Sequence, residues 1–403
     1  MNRHAALIAP LIAGLFGSLF LEAPLQAQSP AAPISQSASD TQFSFAAQIP
    51  ASFVHNLIFV PVRINGGTAF LFELDSSAEH TSVEPAHAKQ LGLTVSSAGT
   101  VNNLALTMPG LQFHIAALPV IEQKHFAETT GQPAYGVLGR DFFDHAVVVV
   151  DYLRQTVQVF DPATYKYDGQ GKSFPVTGTG ASALIRAKGN ISGRKNFEGD
   201  FEINTALDSA IVFYEAFLDS KKISASHFKA ESASYPELDE GSKILVGRIK
   251  EFQIGPYNVQ EPVALFSQSN SKSGANSKIA GQIGGDFLRR FAITFDFPHQ
   301  RVFLDPNLQI NHTAQADMSG LSILAKGANL KTFEIVQVRP GTPGADAGLK
   351  EGDVIVGIDE EAAADLTLSA IRDLFRQVGH EYKLLIDRHG QSLPITIKMR
   401  RLV

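Results

Sequence analysis

Apolar and polar positions alternate in short bursts along most of the chain, and no long helical stripe appears before its last quarter. Segments such as "NLIFVPVRING" (56–66) and "TAFLFELD" (68–75) are β-branched or aromatic runs closed by Gly, Asn or Asp, which predicts strands joined by tight turns. "LALTMPGLQFHIAALPVI" (104–121) and "IKEFQIGPYNVQEPVALF" (249–266) each read as a hairpin turned at a Gly. "AVVVVDYLRQTVQVF" (146–160) reads as an apolar strand, a polar turn and a second, alternating strand. Near the end, Leu368, Ile371, Leu374, Phe375 and Val378 form one apolar helical stripe, with Thr367 as N-cap and Gly379 as its stop.

The pattern repeats. "GVLGRDFFDHAVVVVDYLRQTVQVFDP" (136–162) matches "GQIGGDFLRRFAITFDFPHQRVFLDP" (281–306), with Gly136, Gly139, Asp141, Phe142, Asp151, Gln155 and Val157 answering Gly281, Gly284, Asp286, Phe287, Asp296, Gln300 and Val302 at constant spacing. Upstream of each lies the same phrase, "FELDSSA" from Phe72 and "FEINTAL" from Phe201, with Asn204 where the first copy has Asp75. Two copies are too few for a solenoid, so two facing lobes with a cleft between them are expected. The predicted divisions are a signal at 1–27, a linker at 28–44, lobes at 45–165 and 166–310, and a compact α+β domain at 318–403.

Composition adds little to that picture. Apolar residues make up 44% and charged residues 18% of 403, as in a globular, strand-rich protein. The net charge of -6 and thinly spread Lys and Arg argue against nucleic acid as a partner. The opening "MNRHAALIAPLIAGLFGSLFLEAPLQA" reads as a secretory signal cleaved near Ala27; a retained membrane anchor is the alternative. An exported protein, periplasmic or secreted and off the membrane after cleavage, is therefore expected. With no cysteine, disulfides and thiolate metal sites are excluded. Scattered histidines without paired spacing give no expected metal or cofactor.

Taken alone, Asp75 before Ser76 and Ser77 would be a turn or capping residue. The repeated phrases, together with Val137-Leu138-Gly139 and Ile283-Gly284 downstream, resemble the retropepsin-like aspartic proteases in a two-lobe, single-chain form. "PGTPGADAGLKEGDVIVGID" (340–359) resembles a PDZ domain. The fold these resemblances imply is mainly β: two retropepsin-like acid-protease lobes followed by a small PDZ-like α+β domain.

The protease resemblance implies a catalytic pair with one acid per lobe, at Asp75 and at 204. The loops would comprise Ser76, Ser77, Thr205 and Ala206. The family pattern of Asp, Thr or Ser, then Gly is broken at Ser77, Asn204 and Ala206. One carboxylate must activate water while the other, protonated, donates to the peptide carbonyl; an amide neither takes up nor releases that proton. The expectation is a peptide-binding pseudoprotease. The alternative is an active aspartic endopeptidase in which Asp75 works with another acid, such as Asp208, or with a second copy of the first lobe. The PDZ resemblance implies peptides or protein C-termini as partners, held by Gly320, Leu321, Ser322 and Ile323 with Leu368 and Ile371 as the facing wall. A domain that only packs against the lobes is the other possibility. Asp141 and Asp286 read as helix caps, Asp151 and Asp296 as turn residues, and Glu73 and Glu202 as a polar strand face.

Overall fold

The structure is a computed structural model that describes residues 42–43, 47–123, 125–178, 182–193, 195–224, 230–233, 244–268 and 278–403. The expected signal and most of the expected linker lie outside these residues. No described helix is long and apolar enough to cross a membrane.

The described strands form four sheets. In the first lobe, eight strands are built around Leu57–Ile64, Ala69–Leu74 and the hairpin Thr100–Met108/Leu111–Pro119. In the second, nine are built around Leu184–Asn190, Asn196–Ile203 and Ile279–Ile283. A six-stranded sheet joins them: the hairpin Val147–Asp151/Thr156–Phe160 lies beside the hairpin Phe291–Asp296/Arg301–Pro306, with Val149 opposite Thr294. Ala47–Ile49 flanks one side and Lys172–Pro175 the other. The alternation in each predicted hairpin buries one face, so Val148, Val150, Ile293 and Phe295 enter a core continuous through both lobes.

Two expectations need correction here. Gln42–Phe43, assigned to the linker, forms a strand on Leu111–Gln112. The predicted stop at Gly379 is also too late: the helix spans Leu368–Leu374, is capped at Phe375, and leaves Val378 58% exposed. Four short helices, Pro85–Gln90, Phe126–Thr130, Glu215–Ser220 and Pro343–Asp346, were not anticipated. Pro85–Gln90 starts on the Glu84 side chain, which accepts from the backbone N–H groups of Ala86 and His87, and Glu215–Ser220 follows Tyr214.

The C-terminal sheet runs Leu321–Lys326, Thr332–Val338, Val354–Ile358, Glu381–Arg388, Gln391–Lys398, around its own core of Phe333, Ile335, Ile371, Tyr382 and Ile386. Contacts to both lobes hold this domain. The chain end returns to the second lobe, where Val403 packs on the outer cluster of Leu207, Val212, Tyr214 and Leu265. There the Arg248 guanidinium donates to the Ala314 carbonyl at 2.9 Å and to that of Val403 at 3.4 Å. On the first lobe, Lys326 pairs with Glu128 at 2.7 Å.

Candidate functional site

The repeated phrases end on matching strand crossings. Ala69–Leu74 runs parallel to Gly136–Leu138, which pairs antiparallel with Ser82–Val83. Asn196–Ile203 runs parallel to Ile279–Ile283, which pairs antiparallel with Ile211–Phe213. The Asp75 N–H donates to the Leu138 carbonyl at 3.0 Å, and the Asn204 N–H to the Ile283 carbonyl at 2.9 Å. The downstream Gly139 is required by close approach, since a Cβ there would meet the His80 carbonyl carbon at 2.5 Å.

The two loops interlock. Thr205 Oγ1 accepts from the Ser76 N–H at 2.9 Å and donates to the Leu74 carbonyl at 2.5 Å. Ser76 Oγ accepts from the Thr205 N–H at 3.2 Å and donates to the Ile203 carbonyl at 2.8 Å. Both residues are buried, and each hydroxyl satisfies a backbone N–H and a backbone carbonyl of the opposite lobe. This crossed set brings Asp75 and Asn204 to the same junction.

Asp75 is half-buried. Its Oδ1 accepts from the Ser77 N–H at 2.8 Å and the Ser77 hydroxyl at 2.7 Å. Burial raises its pKa above the ordinary carboxylate value, against the lowering effect of those hydrogen bonds. Asn204 Oδ1 accepts from the Ala206 N–H at 2.8 Å. The amide thus makes the same local turn contact as the acid, without a titrating proton. The Ser77 side chain adds a hydroxyl donor to Asp75.

The other acids point elsewhere. Asp208 is engaged by the first lobe's hairpin turn: Asn56 Nδ2 donates to its Oδ1 at 2.9 Å, and His55 Nδ1 lies 3.8 Å from its Oδ2. Asp141 is more than a helix cap, the cap position being Gly139. Its carboxylate accepts from the Thr81 N–H at 2.9 Å and the Thr81 hydroxyl at 2.5 Å, fixing the loop after Asp75. Its counterpart Asp286 turns to Arg289 at 3.3 Å. Asp151 and Asp296 hold their turns, through Arg154 at 2.6 Å and through His299 and Arg301 at 2.6 Å each.

Glu73 and Glu202 are not a solvated strand face. Glu73 is 3% exposed, its Oε1 has no hydrogen-bond partner, and burial with Asp75 nearby pushes its pKa well above the usual range. Glu202 is half-buried, accepts from Gln282 Nε2 at 3.0 Å, and is also shifted upward by burial. The sequence signal was present, an acid at the same place in both copies of an apolar strand. Among the described residues no group of three or more His, Asp or Glu is arranged to hold a metal ion.

In the C-terminal domain the loop before Leu321–Lys326 is internally satisfied. Asp317 Oδ1 accepts from the Ser319 N–H, the Ser319 hydroxyl and the Gly320 N–H at 3.0, 2.8 and 3.0 Å, and the Leu321 N–H donates to Ser319 Oγ at 3.1 Å. The first lobe's helix Phe126–Thr130 lies against the edge strand. Gly131, at φ +70°, sits so close to the start of the helix Leu368–Leu374 that a Cβ would meet Leu368 Cβ at 2.9 Å. Ile323, Leu368 and Ile371 are buried. Beyond the covered edge remains a cavity of about 140 Å³ whose lining includes Thr129, Ser209, Leu321, Ser322, Arg372 and Arg376.

Residues 334–388 match the family model of the PDZ domain. The C-terminal domain is a PDZ domain. Serine protease HTRA1 of Xenopus tropicalis is 36% identical over 63 residues, 16% of this chain and 13% of that protein, so the chain spans about an eighth of that relative's length. The aspartic proteinase of Irpex lacteus covers 66% of this chain and 99% of its own at 13% identity and TM-score 0.42. PDZ domains bind peptide C-termini by adding a strand to an exposed edge. Here Ser322 and Ile323 lie on such an edge, Gly320 and Leu321 open it, and Leu368 and Ile371 stand opposite, but the first lobe's helix occupies the approach. Of the six expected residues, Leu321, Ser322 and Ile323 line the cavity beside the covered edge, whereas Gly320 sits against Thr342 and Leu368 and Ile371 lie in the domain core.

Proposed function

We propose that this chain is an exported, peptide-binding protein of aspartic-protease ancestry in which peptide hydrolysis is lost. The observation that carries the reading is the interlocked junction with Asp75 on one side and Asn204 on the other. Its backbone geometry is complete, but only one of its two facing side chains can exchange a proton. A missing general acid or base typically costs about 100- to 10,000-fold in rate. The endopeptidase alternative requires a second acid at the junction. Asp208 is held by Asn56 instead, and pairing with a second copy would break the crossed Ser76–Thr205 bonds. Export follows from the apolar leader, and N-terminal sequencing of protein from the extracytoplasmic fraction would reveal cleavage near Ala27.

The test compares wild type, Asn204→Asp and Asp75→Asn on unfolded protein substrates across acidic to neutral pH. Silence in wild type, cleavage by Asn204→Asp and none by Asn204→Asp combined with Asp75→Asn is expected. Cleavage by wild type that Asp75→Asn abolishes would overturn the reading.

A further inference from the structure

The cavity of about 140 Å³ beside the covered edge of the PDZ domain has walls of opposite charge, and the two walls belong to different domains. Arg372 on the helix Leu368–Leu374 and Arg376 just past its end stand on the PDZ side, and Asp208 and Asp286 on the side of the second lobe. Arg339 and Asp317 add one charge of each sign. The rest of the lining is largely apolar, with Ala210, Val263 and Leu265 from the lobe and Leu321 and Ile323 from the PDZ edge strand. The cavity is not sealed: the side chains of Arg376, Asp208 and Asp286 are 32%, 20% and 17% exposed.

Opposite charges so placed would ordinarily close on each other. Asp208, Asp286 and Asp317 all act electrostatically on Arg376, yet among the described residues no ion pair or hydrogen bond joins Arg372 or Arg376 to any of the three. Each acid is held on its own side. Asn56 donates to Asp208 Oδ1 at 2.9 Å, Arg289 lies 3.3 Å from Asp286, and Asp317 is taken up by the N–H groups and hydroxyl of its own loop. The arginines hold less. Arg372 donates to the Ile323 carbonyl and Arg376 to Asp373, both at 3.3 Å, and the Arg376 Nε has no acceptor. Ser209 Oγ, next to Asp208 in the chain, also lacks a partner.

A ligand suited to this gap carries both charges. A lone anion would meet the arginines but also the field of three carboxylates, and a lone cation would meet the reverse. A free α-amino acid offers a carboxylate for a guanidinium fork and an ammonium for a carboxylate within one small frame, and an aliphatic side chain suits the apolar lining. A cavity of about 150 Å³ holds a benzene-sized molecule, so the ligand has about six to eight non-hydrogen atoms, the range from alanine to valine.

We propose that this cavity binds a small aliphatic α-amino acid, its carboxylate on Arg372 and Arg376 and its ammonium on Asp208. By bridging the two walls, the ligand ties the PDZ domain to the second lobe. The site is separate from the Asp75 and Asn204 junction and does not depend on the peptide reading of it.

The test is calorimetry on the full chain with L-valine and with the two molecules that each lack one of its charged groups, isobutylamine and 3-methylbutanoate. Valine should bind about tenfold or more tighter than either, since each missing group forfeits a charge-assisted hydrogen bond. Arg376→Gln should bring valine down to the affinity of isobutylamine. Asp208→Asn, which keeps an oxygen for Asn56, should bring it down to that of 3-methylbutanoate. Valine affinity unchanged in either variant overturns the assignment, as does equal affinity of wild type for the three molecules or no valine binding at millimolar concentration. Should a variant fold poorly, the three-ligand comparison on wild type decides alone.

Discussion

His55 sits where the three parts of the molecule meet, and its protonation should loosen them. The imidazole is almost fully buried at a turn of the first lobe, near Asp208 of the second lobe, and within the electrostatic reach of Arg372, Arg376 and Asp373 of the PDZ domain. Burial lowers its pKa from 6.5 to about 4, Asp208 raises it in part, and the two arginines lower it again. Because the folded value lies below the unfolded one, the unfolded chain takes up the proton first as pH falls. Stability is therefore fully present above about 6.5 and is lost between there and about 4. At about 1.4 kcal/mol per pH unit, the loss is about 3 kcal/mol. Glu73, Glu202 and Asp75, whose pKa values are raised, act in the opposite direction over the acidic range, so the wild-type profile alone mixes the effects. His55→Asn isolates the term, since Asn tolerates the positive φ of 49° at this turn. Urea midpoints of both proteins from pH 7.5 to 4 should show the wild type losing about 3 kcal/mol relative to the variant. A difference that stays flat across that range would refute the reasoning and imply that the imidazole is solvated.

Thr205→Val keeps the shape but strips a buried donor and acceptor from the Ser76 N–H and the Leu74 carbonyl, and should cost about 3 kcal/mol in chemical denaturation. Gly131→Leu should wedge the first lobe's helix off Leu368, seen as faster amide exchange over 126–131 and 321–326 and as new binding of C-terminal peptides that wild type does not take. Arg388→Leu leaves the fully buried Asp353 without its paired donors at 2.7 and 2.8 Å, and should destabilise the PDZ domain by about 3 kcal/mol, measured by thermal unfolding at neutral pH.

Much of the architecture was legible because it was written twice. Constant spacing between Gly136 and Gly281, or Asp151 and Asp296, carries a whole hairpin with its neighbours, and period-two burial follows directly. The short helix at Pro85–Gln90 escaped because one turn and a half gives no periodicity to count. Packing of the PDZ domain on the lobes is one of the two readings its sequence allows, but the segment that covers its groove escaped for another reason. Thr129 and Gly131 lie far from Leu321 and Leu368 in sequence, and the contact exists only once both domains are folded. Glu73 and Glu202 were visible as letters but misread, since alternation says which face a side chain takes and not whether water reaches it.

The architecture of the junction does not depend on an acid at 204. The bonds that tie the loops together belong to Ser76 and Thr205, and neither involves the side chain at 204. What that side chain must supply locally is one oxygen for the Ala206 N–H, and an amide supplies it as well as a carboxylate. An aspartate at 204 would add a second negative charge at a junction where burial already disfavours ionised Asp75, and the pair would hold only one charge between them near neutral pH. Asparagine removes that repulsion while keeping the shape. Asn204→Asp should accordingly gain chemistry at the expense of stability, with the penalty growing as pH rises and both carboxyl groups are pressed to ionise.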